Sequence, residues 1–536
     1  MIALRTSRAV AGALVLAAAL QASSAQGQNL SFDDRPTGFL TARTGGMPAD
    51  GWSSTSLATA KWLVSALPAA PRSRALRDLQ FTVLVSELVP PAADGSPPPS
   101  LFARKVERLA AMGEGESLNE MVRAAGGYAD PAIAATVVNA LMMAGEREGA
   151  CNIQRNNPLP QPFARRADIA CKLVAGDNAG ALAEVAPLRG SDRAFAALVE
   201  VAAGGLPPSA PPVQLDGPAM IMLSLAHVSP SPAALRSTLP PMIRALVGSK
   251  TLPIATRLEI AERGEALAIV EATRLADLYS QALREGAQLP PAMARRAQLV
   301  AAARSASNGQ EIMNSVAAIY GELRGSALFT TVARASASGL LNLPPQPQYA
   351  NVAQEAIRGF LLLGDKRLTQ AWTRLALDAA YNNARAMIAL DRLMPLVVIA
   401  GVDAAGRLAP EDVNRWYEVM SQDDRKGAAL RGNLLLELFR ATGNDVPPGT
   451  TNLPEAPPAG SRLVSPPAAT LQALRAAGAD HRRAEASLLA SVATGETPLV
   501  ELHPAAVGGI VRALREAGED HAARLFAIET AIAHGL

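Results

Sequence analysis

Apolar residues, chiefly alanine and leucine, run along this chain in helix-length stretches that open at proline and close at glycine. Proline suits the first helical turn, where its missing N–H is no loss. Asp130-Pro131, Leu252-Pro253, Pro290-Pro291 and His503-Pro504 each stand before such a stretch. The stops share a phrase in which glycine is followed by polar residues and then, after a short gap, by alanine. It occurs at Gly145-Glu146 to Ala150, Gly176-Asp177 to Ala181, Gly364-Asp365 to Ala371, Gly478 to Ala484, and Gly518-Glu519 to Ala522. The glycine supplies a left-handed C-cap, the polar residue caps the next helix, and the alanine sits where two helices cross closely. Strand-type alternation of β-branched and aromatic residues is nearly absent, so the pattern predicts an all-α fold with few strands.

Two of these units repeat in sequence. Leu471–His481 and Val511–His521 agree at seven of eleven positions at an offset of 40 residues, ending in Asp480-His481 and Asp520-His521. A fainter echo relates Pro253 and Leu275–Tyr279 to Pro291 and Val316–Tyr320, at offsets of 38 and 41. A helix–turn–helix unit of this length marks an α-solenoid, in which neighbouring units bury each other's apolar faces. The glycine phrase resembles the turn between the two helices of tetratricopeptide and Sel1-like repeats, in the turn and the small residue after it. The aromatic positions of the tetratricopeptide consensus are mostly absent, and the spacing exceeds the consensus period of about 34. The resemblance implies a right-handed superhelical α-solenoid of helix hairpins with a period near 40.

Proline-rich breaks at 89–100, 206–218, 343–348 and 446–467 cannot be helix interiors. They divide the chain into an irregular lead (26–56), helical segments at 57–205, 206–345 and 346–445, a proline-rich linker (446–467) and a C-terminal helical repeat unit (468–536) that the linker isolates. The segment Met1–Ala25 reads as a secretory signal: Arg5 and Arg8, an apolar run from Ala9 to Leu20, then Ser23-Ser24-Ala25, with cleavage expected after Ala25. The run is shorter than the roughly 20 residues that span a bilayer. No later stretch is long and apolar enough either; Ala219–Val228 and Met394–Ala400 come nearest.

Charge narrows the partners. There are 50 basic and 48 acidic residues, and the excess of +2 resides in Arg5 and Arg8, which leave with the signal. A balanced mature chain lacks the footprint of a nucleic-acid binder or a polybasic membrane binder. Lysine occurs at only six positions while arginine and alanine abound, a bias of GC-rich bacterial genomes, so the expected location is the periplasm, or secretion. Cys151 and Cys171 are the only cysteines, separated by a short stretch that holds the breaker-rich Asn156–Pro162, and an oxidising compartment predicts a disulfide between them.

Chemistry is sparse. No phosphate-loop, zinc-protease, nucleophile-elbow, SxxK or EF-hand signature is present, and no cofactor or metal is expected. The Asp480-His481 and Asp520-His521 couples have the residue types of a triad, but their repetition at equivalent positions favours turn chemistry, each Asp capping the next helix and each His exposed in its first turn. His227, His503 and His534 show no ligand spacing, and His503 before proline is a turn residue. Gly113-Glu114-Gly115 lacks the strand and third glycine of a dinucleotide fingerprint. Glu114-Gly-Glu116-Ser117 does not match the catalytic stretch of lytic transglycosylases, whose superhelical body the chain loosely resembles. Trp372 and Trp416 lie in helical patterns and should pack between helices, which leaves Trp52 as the ligand-contact candidate. The expected function is a non-enzymatic protein-binding scaffold of the cell envelope, with self-association also open. The alternative is a polysaccharide-remodelling protein related to the superhelical part of those transglycosylases.

Overall fold

The computed structural model describes residues 32–33, 35–205, 215–306, 308–323, 326–341, 343–381, 383–402, 409–444 and 452–536. The expected signal and its cleavage site lie outside them. The described chain contains 28 α-helices and no strand, only three isolated β-bridges. None of these helices is long and apolar enough to cross a membrane.

The punctuation works largely as the sequence implies. Pro131, Pro291 and Pro504 open their helices, whereas Pro253 stands one residue ahead of Ile254–Ala266. Asp177 and Asp365 cap the helices that follow them by accepting from the amides of Gly180 and Leu368. Gly145 and Gly364 take the left-handed C-cap conformation. Consecutive helices pack on one another through much of the chain, and one apolar core extends from Met47 to Ile532. Trp372 and Trp416 are among its most deeply buried side chains.

The repeat pair departs from that grammar. Gly518 has φ +92° and ends its helix, but Gly478 lies inside the helix Ala468–Ala479. There it meets the helix Pro504–Glu516 so closely that a Cβ would stand 2.7 Å from the Ala513 carbonyl oxygen. The left-handed position falls instead on His481, at φ +54°, whose Nδ1–H donates to the Glu516 carbonyl at 2.6 Å. Neither aspartate caps the helix that follows it; Asp480 instead closes Ala468–Ala479, its amide donating to the Ala476 carbonyl. Arg482 is the N-cap of Arg483–Thr494, without a side-chain bond, and Asp520 is already the first residue of Asp520–Ala533. Its carboxylate accepts from Arg515 Nε at 2.7 Å and Arg524 Nε at 2.8 Å, so two guanidinium groups outcompete the free amides of the turn.

The described part of the lead is irregular but packed. Thr37 and Leu40 bridge to Leu88 and Ser86, the Met47 amide donates to Ser86 Oγ at 2.8 Å, and buried Lys105 donates to the Thr37 carbonyl at 3.0 Å. Burial pulls the Lys105 ammonium down to about 8. Trp52 is only 3% exposed, so its ring belongs to this packing and offers no ligand platform.

The C-terminal unit is not isolated. Arg483–Thr494 packs on Leu57–Ala66 and Arg74–Val85, and Asp520–Ala533 packs on Arg74–Val85, Ala353–Leu363, Met394–Ile399 and Arg425–Thr442. The Ala484 amide donates to the Gly51 carbonyl at 2.9 Å. The linker residues 452–467 are themselves tied down, with Leu453 buried and the Pro454 carbonyl accepting from Asn433 Nδ2 at 3.1 Å. In a stack of nearest-neighbour repeats the ends stay apart; here they meet.

Cys151 and Cys171 join the helices Arg147–Asn156 and Phe163–Val174, with Cα atoms 5.4 Å apart. Intact mass and thiol labelling of the unreduced protein should find no free thiol and a mass two hydrogens below the reduced form; two labelled cysteines would refute the bond.

Candidate binding clefts where the chain ends meet

The interface between the two ends is built around buried carboxylates. Glu529, on Asp520–Ala533, is 5% exposed and accepts from Ser73 Oγ at 2.6 Å and from the Ala75 amide at 3.4 Å. Ser73 is the N-cap of Arg74–Val85, its Oγ accepting from the Leu76 amide. Glu529 therefore sits at the positive end of a helix from the opposite end of the chain. Glu485 does the same less directly. Its Oε2 accepts from Thr55 Oγ1 at 2.9 Å, one residue ahead of the Ser56 cap of Leu57–Ala66, and Arg482 provides its counter-ion.

Behind this contact lies Glu265, wholly buried on Ile254–Ala266. Arg334 reaches it with two bonds, Nε at 2.7 Å and Nη2 at 3.2 Å, while Arg74 approaches at 3.4 Å. Arg74 also donates to the Val270 carbonyl at 2.8 Å and to Glu271 at 2.9 Å. Arg77 pairs with Glu114, which receives Arg244 Nη2 at 2.8 Å as well. Burial pushes the Glu529 carboxyl above its ordinary range, against the pull of Arg334, Ser73 and Arg74. Desolvation likewise raises Asp78, against Arg74 and Arg77. Burial works against the Arg334 charge, yet Glu265 and the acids beyond it hold the guanidinium above its usual value.

Two clefts flank the helix Asp520–Ala533, and the first of them opens on this interface. One, of about 320 Å³, lies between the lead at Gly45–Met47, the exposed side of Arg74–Val85 at Asp78 and Thr82, and Arg483 and Glu519. The other, of about 190 Å³, is lined by Leu361, Lys366, Ala400, Arg524 and Ile528. His521 and Leu525, one helical turn apart, form the ridge that both clefts share. Gly364 lets the ridge approach, since a Cβ there would lie 3.1 Å from His521 Cε1.

Most charges around the ridge are spent on structure. Arg483 pairs with Glu519. Despite partial burial, the bonds from Arg524 and Arg515 hold the Asp520 carboxyl below its usual range. Arg524 also donates to the carbonyls of Ile399 at 2.7 Å and Thr442 at 3.3 Å. Among the described residues, Asp78, His521 and Lys366 form no ion pair or side-chain hydrogen bond, so a carboxylate, an imidazole and an ammonium remain available on the cleft walls.

The repeated Asp–His couples are split by the fold: Asp520 and His521 line clefts, whereas Asp480 pairs with Arg482 at 3.4 Å and His481 is used in its turn. His503 accepts the Ala505 amide at 3.3 Å as the N-cap before Pro504, and His534 Nε2 donates to the Leu499 carbonyl at 3.2 Å. Among the described residues no three His, Cys, Asp or Glu side chains gather as a metal site. Glu265, Glu529 and Asp78 carry no signal in the sequence, because their surroundings come from remote segments: Arg74 and Glu265 are 191 residues apart, Ser73 and Glu529 456.

No family model, curated protein or solved structure matches the chain.

Proposed function

We propose that this chain is an exported helical-repeat scaffold of the bacterial cell envelope that binds another protein at the paired clefts on either side of its His521–Leu525 ridge. In this reading the hairpins are units of a right-handed, tetratricopeptide-like solenoid with a period near 40 that closes on itself where its ends meet, and the signal-like segment Met1–Ala25 directs it to the periplasm. The observation that carries it is the His521–Leu525 ridge. It stands between two clefts, one of them assembled from both chain ends, with uncommitted Asp78, His521 and Lys366 on their walls. Apolar floors ringed by a few available polar groups are the anatomy of recognition sites. The three available groups stand on separate walls without a nucleophile paired to a base, an arrangement suited to contact rather than to a reaction.

The test is capture from envelope extract, identification of the bound protein by mass spectrometry, and rebinding of that protein in purified form. His521→Trp, a substitution at an exposed position common to both clefts, should weaken rebinding by at least about tenfold, as expected when a central contact is blocked, while leaving the thermal melt unchanged. Equal rebinding by the variant, or no partner recovered in repeated captures, would refute the proposal.

A further inference from the structure

The interface that builds the clefts contains a carboxylate whose environment is unusual for its position. Glu529 is buried between the two ends of the chain, yet its direct partners are a hydroxyl and an amide, Ser73 Oγ and the Ala75 N–H. Among the described residues, no arginine or lysine forms an ion pair with it. The nearby cations are committed elsewhere: Arg334 lies fork-on against Glu265, and Arg74 is divided among Glu265, Glu271 and the Val270 carbonyl. Glu485, the other carboxylate of the interface, has Arg482 against it.

Two effects compete at Glu529. The N-terminus of Arg74–Val85 and the Ser73 hydroxyl favour its charge, an advantage of at most about 2 kcal/mol for a helix end even in partly buried geometry. Removal from water disfavours the charge by several kcal/mol per ion when no counter-ion answers it. Desolvation wins. The other charged groups facing this point from the helices packed around it are Arg74 and Asp78 on Arg74–Val85, Glu265 on Ile254–Ala266 and Arg334 on Phe329–Ala337.

We propose that the junction of the chain ends is a proton-tightened clasp: with Glu529 neutral the helix Asp520–Ala533 seats firmly on Arg74–Val85, and ionisation of Glu529 loosens that contact and the two clefts built upon it. The regulatory consequence rests on the reading of those clefts as the binding face; the clasp itself does not. The sign follows from proton linkage. Where the docked carboxyl holds its proton and the undocked one has lost it, the docked state binds more protons, so rising pH weakens docking. The direction of the Glu529 shift agrees, and Asp78, raised by desolvation on the facing helix Arg74–Val85, adds to it in the same sense.

The experiment is amide hydrogen exchange on the mature chain, corrected for the intrinsic pH dependence of exchange, over residues 74–85 and 520–533. Between about pH 5 and about pH 8, wild-type protection should fall with rising pH, by up to about tenfold per unit within the window where Glu529 titrates. Glu529→Gln keeps the acceptor for Ser73 and Ala75 without the charge; it should be better protected than wild type at the alkaline end and show a flatter profile. Asp78→Asn should leave most of the slope in place. A flat wild-type profile, or an equal slope in Glu529→Gln, would overturn the clasp, and the wild-type profile decides alone should the variant fail to accumulate. If protection follows this course while His521→Trp still binds the partner normally, the clasp stands and the binding face was misassigned. If the clasp fails while His521→Trp abolishes binding, the reverse holds.

Discussion

Arg334→Met should destabilise the contact between Ile254–Ala266 and Phe329–Ala337 by about 3–5 kcal/mol, the usual effect of removing one partner from a buried ion pair. Glu265 has no exposed surface, and Arg334 supplies its two shortest bonds, at 2.7 and 3.2 Å. Arg74 cannot take over: at 3.4 Å it is the longer contact, and its guanidinium already serves Val270 and Glu271. Methionine fills much of the same volume, so most of the loss would come from the carboxylate left without its fork rather than from a cavity. Hydrogen exchange in those two helices is the measurement, because a chain of this length need not unfold in one step. The double variant Arg334→Met/Glu265→Gln should recover much of the loss, since an uncharged pair carries a far smaller desolvation penalty. If the single variant lost less than about 1 kcal/mol, the figure typical of exposed pairs, the network would be ornamental to the closure.

Gly478→Val should be the second severe change, at or beyond the upper end of the roughly 1–3 kcal/mol typical of overpacking. The added carbon would meet Ala513 backbone, 2.7 Å from its oxygen and 2.8 Å from its Cα, and backbone cannot rotate out of the way. The helices Ala468–Ala479 and Pro504–Glu516 would have to separate, disturbing both helices that dock on Arg74–Val85. Gly518→Ala is the informative comparison. Space there is open, with only Arg483 Cζ at 4.0 Å, but the backbone is left-handed at φ +92°. Its effect should be about 1–2 kcal/mol, the strain of an L-residue in that region. Thermal melts of the two variants would rank them; equal shifts would contradict the assignment of different duties to these glycines.

That pair shows how far the sequence can be read. Gly478 and Gly518 occupy the same place in a repeat with seven identities in eleven, and the same role is the natural expectation. Gly518 ends a helix and Gly478 lets two helices touch, because Gly478 faces the backbone of the neighbouring helix Pro504–Glu516 whereas Gly518 faces nearly open space. The Asp480-His481 and Asp520-His521 couples diverge for the same reason. Arg515 and Arg524 reach one aspartate, and the Glu516 carbonyl claims the histidine of the other couple. Trp52 lies in a stretch without periodicity, and nothing local reveals that its ring is buried.

By itself, the sequence determined the all-α class, many of the helix starts and stops, the interior places of Trp372 and Trp416 and the pairing of Cys151 with Cys171. These depend on backbone geometry, capping and hydrophobic period, interactions that span a few residues or one short loop. Tertiary structure alone decided that the two ends of the chain meet, that Ser73 and Glu529 touch across 456 residues, and that His521 became the ridge between two clefts. Such choices belong to whichever surfaces of distant helices fit together. No local preference encodes a partner hundreds of residues away; only the packed core brings it within reach.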